Sequence, residues 1–104
     1  MSADIIEDVK IDEKIKKGTK EPVRYRVVML NDDQTPMEWV IDILKVIFGH
    51  SQETAKQITL QIHNEGSGIA GIYSYEIAEQ KSTESTSISR QQGFPLQMRI
   101  EPNE

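Results

Sequence analysis

The stretch VVMLNDDQTPMEWV, residues 27–40, carries the signals of a strand, a turn and a helix in succession. Side chains of residues 24–30, RYRVVML, alternate with the period of two that is expected of a strand. Residues 31–34, Asn-Asp-Asp-Gln, favour a turn. Residues 35–38, Thr-Pro-Met-Glu, have the order of a helix start, in which Thr caps, Pro takes the first helical position and Glu completes a capping box. We therefore predict a strand, a polar turn and an amphipathic helix.

The composition limits the classes of protein to consider. A chain of 104 residues supports one small domain. It has 12 Lys and Arg against 17 Asp and Glu, so we expect no nucleic-acid partner. The absence of Cys excludes disulfides and thiolate metal sites. The acidic start is unlike a secretory signal and no apolar run approaches the roughly 20 residues of a membrane span, so we expect a cytoplasmic protein without membrane contact.

Two helices are predicted between the polar turn and the middle of the chain. Apolar residues recur at helical spacing from Met37 to Phe48, and Gly49 provides a stop for this first helix. Ser51 is placed to cap a second helix, which carries an apolar face and has His63 one turn beyond Thr59. The two glycines of residues 64–68, NEGSG, close this helix. We expect both helices to pack on a core through one face.

The last part of the sequence predicts two more strands and a third helix. Residues 69–75, IAGIYSY, predict a strand in which Gly71 leaves room for a group packed across it. The third helix is rich in Ser and Thr, and Ile77 and Ile88 are two of its few apolar residues. We therefore expect its body to face solvent. Residues 96–101 alternate again and predict the final strand.

These elements follow the order β-α-α-β-α-β. We predict an α+β fold, a two-layer sandwich in which a three-stranded antiparallel sheet has helices on one face. This domain spans residues 23–104. Residues 1–22 mix acids with lysines and have too few apolar side chains for a helix held against a core. We expect them to form a flexible N-terminal arm, either a leftover of no function or a tether or partner-binding segment.

The polar residues Asn31, Asp32 and Asp33 allow several interpretations. Turn and helix-start chemistry explains one of them. A metal site or a hydrolytic dyad with His63 would need a ligand spacing or a nucleophile turn that the sequence lacks, so we expect no metal, no cofactor and no catalytic residue. His50 is interpreted as a loop residue. The surplus polar groups, with apolar residues on both sides, suit a ligand that has a positively charged end and an apolar body.

Three segments of the sequence resemble the ClpS adaptor family: NDDQTPMEWVIDIL, HNEGSGIAGIYSYEIAEQK and FPLQMRIEP. The resemblance covers about residues 24–102, and the run NDDxTPMExV is highly specific. It implies an adaptor, not an enzyme, that binds substrates with a free N-terminal Leu, Phe, Tyr or Trp. Such an adaptor delivers them to a Clp AAA+ unfoldase and its peptidase and modulates their substrate choice. The implied partner is the N-terminal domain of a ClpA-type or ClpC-type unfoldase, and we expect the adaptor to be a monomer.

The resemblance also implies roles for individual residues. The residues that match the site for the substrate α-amino group are Asn31, Asp33 and His63, with Asp32 nearby. Those that match the hydrophobic pocket for the first side chain are Met29, Leu30, Thr35, Met37, Val40, Ile62 and Leu96, with Thr59 at a further pocket position. Those that match the surface that docks on the unfoldase are Glu76, Glu79 and Lys81.

Thr59 departs from the family pattern. It stands where members usually have a methionine, so a short β-branched hydroxyl side chain replaces a long apolar one. We expect either a roomier and somewhat more polar pocket, or neighbouring side chains that fill the space. The competing hypothesis for the whole protein is an α+β protein-interaction domain without a peptide pocket.

Overall fold

A computed structural model of the protein describes residues 23–104, so the predicted flexible arm at residues 1–22 lies outside the described residues. The predicted order of elements, β-α-α-β-α-β, is confirmed. The elements are β1 (Tyr25–Leu30), α1 (Met37–Val46), α2 (Gln52–Glu65), β2 (Ser67–Tyr73), α3 (Tyr75–Gln91) and β3 (Gln97–Pro102).

The three strands form one antiparallel sheet in the order β2-β1-β3, so β1 is central. Val27 and Met29 of β1 are fully buried because their side chains point toward the helical layer. On the opposite face, Arg26 of β1 and Arg99 of β3 both pair with Glu101, and their hydrogen bonds hold the pKa of that carboxyl below its usual value. The α+β fold with helices on one face of the sheet is therefore confirmed.

A bulge interrupts the pairing of β1 with β2. Val27 lies opposite Gly71 and Val28 opposite Ile69, so the intervening Ala70 has no partner on β1. The Nε2 atom of His50 lies 2.5 Å from the Ala70 carbonyl oxygen. His50 is therefore more than the simple loop residue that we predicted, because its ring satisfies a carbonyl at the bulge.

The prediction about Gly71 is confirmed by its neighbours. The side chain of Tyr73 lies across Gly71, and a Cβ atom at residue 71 would overlap its ring. The same Tyr73 ring is tilted against Phe48 of the helical layer, and burial raises the pKa of its hydroxyl. The missing side chain therefore lets an aromatic residue pack on the strand.

The predicted capping box at the start of α1 is wrong. The helix begins at Met37, and Pro36 is the cap residue, which offers no side-chain acceptor. Thr35 cannot take that role because its hydroxyl donates to Asp32 Oδ2 at 2.8 Å. The other predicted helix boundaries are confirmed. Ser51 Oγ accepts from the N–H of Thr54, and Gly49, at φ +75°, follows the last turn of α1.

The prediction that the body of α3 faces solvent is wrong for one side of the helix. Ser85 and Ser89 are fully buried, whereas Ile77 and Ile88 are both 41% exposed. Each buried hydroxyl donates to the carbonyl one turn earlier, and Ser89 Oγ also accepts from Trp39 Nε1 at 2.8 Å. Small side chains with satisfied hydroxyl groups therefore allow α3 to pack closely on the sheet, and the bond from Trp39 joins α3 to α1.

Candidate functional site

The end of β1 is joined to the end of α2 by one backbone hydrogen bond. The N–H of Asn31 donates to the carbonyl of Gly66 at 3.0 Å, and the N–H of Gly66 donates to Ile62 at 2.9 Å. Gly66 has φ +93°, a left-handed conformation that glycine adopts without strain. The polar turn after β1 therefore lies next to the last turn of α2. The sequence identified Gly66 only as a helix stop, and its role as acceptor for Asn31 carried no sequence signal.

Asp32 organises the polar turn. Its Oδ1 atom accepts from the backbone N–H groups of Gln34 and Thr35 at 2.8 and 2.7 Å, and its Oδ2 atom accepts from the Thr35 hydroxyl. The side chain is half-buried as a result. Three of its acceptor positions are thus used within the turn, which gives Asp32 a structural role beside any contact with a ligand.

Asn31, Asp33 and His63 present their side chains to solvent. Asn31 and Asp33 belong to the polar turn, and His63 lies in the last turn of α2, three residues before Gly66. Among residues 23–104, none of the hydrogen bonds or ion pairs uses these three side chains. An amide oxygen, a carboxylate and an imidazole are therefore available to a ligand at one edge of the domain.

The predicted pocket residues divide into a buried set and a surface set. Those that are at most 6% exposed are Met29, Val40, Thr59, Ile62 and Leu96. Leu30 and Thr35 are half-buried, and Met37 is 39% exposed at the start of α1. The buried set belongs to or contacts the core, whereas Met37 reaches the surface beside the polar turn.

Thr59 has its hydroxyl paired within its own helix. The Oγ1 atom donates to the carbonyl of Ala55 at 2.8 Å, and the side chain is 3% exposed. A hydroxyl that is satisfied in this way adds little polarity to the apolar side chains around it. The paired hydroxyl therefore argues against the more polar pocket that we expected, and it leaves open whether the space is roomier or filled by neighbouring side chains.

The predicted docking residues lie on α3 and differ in their surroundings. Glu76 and Glu79 are exposed and border a shallow depression along the helix. Lys81 instead donates through Nζ to the carbonyl of Ile47 at 2.8 Å, and the same atom lies 5.5 Å from the centroid of the Tyr73 ring. Its ammonium group therefore binds the last turn of α1, where a positive charge is favourable.

Residues 23–104 contain neither a cluster of metal ligands nor a helix that could span a membrane. No three His, Asp or Glu side chains in this part of the chain converge as metal ligands. None of its helices is both long and apolar enough to cross a bilayer.

Comparison with known proteins identifies the class and then the family. The family model described as ATP-dependent Clp protease adaptor protein ClpS matches residues 20–99. This match defines an adaptor of an ATP-dependent protease, not the protease itself. The chain belongs to the ClpS family.

Individual relatives agree with this assignment. The ATP-dependent Clp protease adapter protein ClpS of Rhodospirillum centenum is 44% identical over 88 residues, which cover 85% of this chain and 82% of the relative. ClpS 1 of Rhizobium meliloti is 48% identical over 86 residues, which cover 83% and 74%. The structure of Agrobacterium tumefaciens ClpS2 bound to L-phenylalaninamide has a TM-score of 0.77 and 37% identity, and covers 80% of this chain and all of that one.

Proposed function

We propose that this protein binds substrates that carry a free N-terminal bulky hydrophobic residue and delivers them to a Clp AAA+ unfoldase and its peptidase. The observation that carries the proposal is the hydrogen bond from Asn31 to Gly66, because it joins the polar turn to the helix end that carries His63. The likeness to ClpS2 bound to L-phenylalaninamide supports it, since that ligand has a free α-amino group and an apolar side chain.

Three acceptors match the chemistry of an α-ammonium group. The ammonium has three N–H donors and a positive charge, and Asn31, Asp33 and His63 offer an amide oxygen, a carboxylate and an imidazole nitrogen. Hydrogen bonds that include a charged group are stronger than neutral ones. An acetylated terminus loses the charge and two donors, so the site selects unblocked termini. Asp32 supports it mainly by fixing the turn.

The apolar residues select the first side chain. Burying a Leu or Phe side chain contributes about 1.5–3 kcal/mol. In this scheme Met37, Leu30 and Thr35 form the entrance to the pocket, and its depth is set by the buried set of Met29, Val40, Thr59, Ile62 and Leu96. The ammonium contacts identify a free terminus, whereas the apolar contacts discriminate between residues.

Delivery requires a second surface on the adaptor. We assign docking on the N-terminal domain of a ClpA-type or ClpC-type unfoldase to Glu76, Glu79 and Lys81 of α3. The exposed carboxylates are available for direct contact, and Lys81 fixes the position of α3 against the end of α1. The adaptor acts as a monomer in the cytoplasm in this scheme.

Calorimetry with a Leu-first peptide and its N-acetylated twin tests the proposal. Because two or more charge-assisted hydrogen bonds of about 1.5–3 kcal/mol each are lost, acetylation should weaken binding at least about 100-fold. The double variant Asn31→Ala and Asp33→Ala should lose the Leu-first peptide at an unchanged melting temperature. Glu53→Ala with Gln57→Ala removes one carboxylate and one amide from the exposed side of α2 and serves as the control. If the protein binds both peptides with equal affinity, or binds neither of them, only the hypothesis of an α+β interaction domain without a peptide pocket remains.

A further inference from the structure

An apolar groove lies between α1 and α3 on the outer side of the helical layer. The two helices run antiparallel, since Lys81 contacts Ile47 near one end and Ser89 contacts Trp39 near the other. The groove has a volume of about 210 Å³. Its walls are Trp39, Ile43, Val46, Ile47 and Ile88, with Asp42 at the edge.

The groove is open to solvent in the part of the chain that the structure describes. Val46 is 82% exposed and Ile88 is 41% exposed, although both are large apolar side chains. Isolated exposed apolar residues are ordinary, but a concave patch with entirely apolar walls is typical of a surface that a second segment covers.

Carboxylates continue along α3 from one end of this groove. Glu84 lies one helical turn before Ile88, and Glu79 and Glu76 lie further toward the start of the helix. Neither ion pair found within residues 23–104 uses these three carboxylates, since both pairs use Glu101. The nearby ammonium of Lys81 binds the Ile47 carbonyl instead. A segment that fits this surface would combine apolar side chains with positive charge.

Residues 10–20, KIDEKIKKGTK, have this combination. They contain five lysines against two acids, and the only apolar side chains are Ile11 and Ile15. The rest of the arm differs, because residues 1–9 contain three acids and no lysine. The lysine-rich half is also the half that adjoins the described domain.

The point where the arm enters the domain places this segment within reach. The ring centroids of Tyr25 and Tyr75 are 5.1 Å apart, so β1 begins beside the first turn of α3. From there to Ile88 is about 20 Å along the helix, at about 1.5 Å per residue. The ten residue steps from Ile15 to Tyr25 span up to about 33 Å when extended.

We propose that residues 10–20 cover the α1–α3 groove of the same chain, with Ile11 and Ile15 in the groove and the lysines against Glu76, Glu79 and Glu84. The contact is weak and salt-dependent, because exposed ion pairs contribute little and are screened by salt. One consequence rests on the proposed function. Since Glu76 and Glu79 are also assigned to docking on the unfoldase, docking displaces the arm.

Paramagnetic relaxation in the full-length protein tests the covered groove. The chain has no cysteine, so Thr19→Cys provides a single position for a nitroxide label. We expect the amide signals of Glu84 and Ile88 to broaden more than those of Ile69 and Ile72, which are exposed on β2. About 0.5 M salt should remove most of the difference.

Two controls decide between the arm and other occupants. Glu84→Lys should abolish the broadening, whereas the matched change Glu65→Lys at the end of α2 should leave it intact. A mixture of nitroxide-labelled protein without isotope and isotope-labelled protein without nitroxide should show no broadening. Broadening in that mixed sample would assign the groove to a second copy, and broadening that is absent or insensitive to Glu84→Lys would overturn the proposal.

Competition with the unfoldase tests the consequence. In the full-length protein, Lys14→Gln, Lys16→Gln and Lys17→Gln together should tighten binding to the N-terminal domain of the unfoldase by about threefold or more, because less of the adaptor is closed by its own arm. Unchanged or weaker binding would overturn the competition. Failure of the unmodified adaptor to bind the domain would count against the proposed docking, while the relaxation experiment would still decide whether the arm covers the groove.

Discussion

The backbone N–H of Asn31 donates to the carbonyl of Gly66, 35 residues later in the chain, at 3.0 Å. This bond fixes the polar turn relative to the last turn of α2, so the position of the Asn31 side chain relative to that of His63 depends on it. The hydrogen bond in turn depends on the left-handed backbone conformation of Gly66. A substitution at residue 66 should therefore change the affinity for the ligand, although Gly66 contributes no side chain to the site.

Gly66→Val is expected to weaken the binding of a Leu-first peptide several-fold. A β-branched residue disfavours the left-handed conformation by about 1–2 kcal/mol, which shifts the carbonyl that holds Asn31. Gly93→Val is the matched control, because Gly93 has φ +83° and, like Gly66, has nothing within 4 Å of an added Cβ. Both variants should lose similar stability on urea unfolding. Equal peptide affinities of the two variants would contradict the role of Gly66.

Thr59→Met is expected to change which first residues bind. The larger side chain would occupy space among buried neighbours, at a cost in stability of about 1–3 kcal/mol if they cannot move. Affinities for Leu-, Phe-, Tyr-, Trp- and Ile-first peptides measure the effect. Thr59→Val separates size from polarity, and its profile should match that of the native protein because the hydroxyl is already bonded to Ala55. Identical profiles for all three proteins would exclude Thr59 as a selectivity residue.

Ser89→Ala should destabilise the fold by about 1–2 kcal/mol, because the half-buried Nε1–H of Trp39 loses its acceptor. Ser85→Ala is the control. Ser85 is equally buried, but its hydroxyl only donates to the carbonyl of Lys81, so its removal should cost much less. Urea unfolding followed by the fluorescence of the single tryptophan measures both variants. A larger loss at Ser85 than at Ser89 would show that the bond to Trp39 is unimportant.

Lys81→Met should lower stability by about 1 kcal/mol in the absence of any partner. The substitution keeps most of the side chain and removes the ammonium from the Ile47 carbonyl. Lys56→Met on the exposed surface of α2 is the control and should be close to neutral. If the thermal stability of Lys81→Met equals that of the native protein, the role of Lys81 is confined to docking.

His63→Leu is expected to weaken the binding of a Leu-first peptide, because the proposed α-ammonium contact loses one of its three acceptors. His63→Gln keeps an acceptor on this side chain, so it should lose less affinity. Calorimetry measures both variants. A His63→Leu variant that binds the peptide as tightly as the native protein would remove His63 from the site.

The elements and their order were predicted from short patterns in the sequence. Period-two alternation in residues 24–30, helical spacing from Met37 to Phe48 and the cap at Ser51 are local properties of the chain, and the structure confirms each of them. The candidate site could be named because its residues lie in long, specific motifs. Its geometry could not be named, because the bond between Asn31 and Gly66 joins segments that are distant in sequence.

The predictions that the structure contradicts failed for the same reason, because they also depend on contacts between distant parts of the chain or on competing hydrogen-bond partners. Composition alone suggested a solvent-facing α3, but burial depends on which face of the helix meets the sheet. Ser85 and Ser89 are buried because small side chains permit close approach there. Thr is a residue type that often caps helices, but the Thr35 hydroxyl donates to Asp32 instead. The sequence by itself determined the fold class and the family. Only the tertiary structure decided which polar groups are already satisfied and which remain available to a ligand, because hydrogen-bond partners are chosen by distance in space.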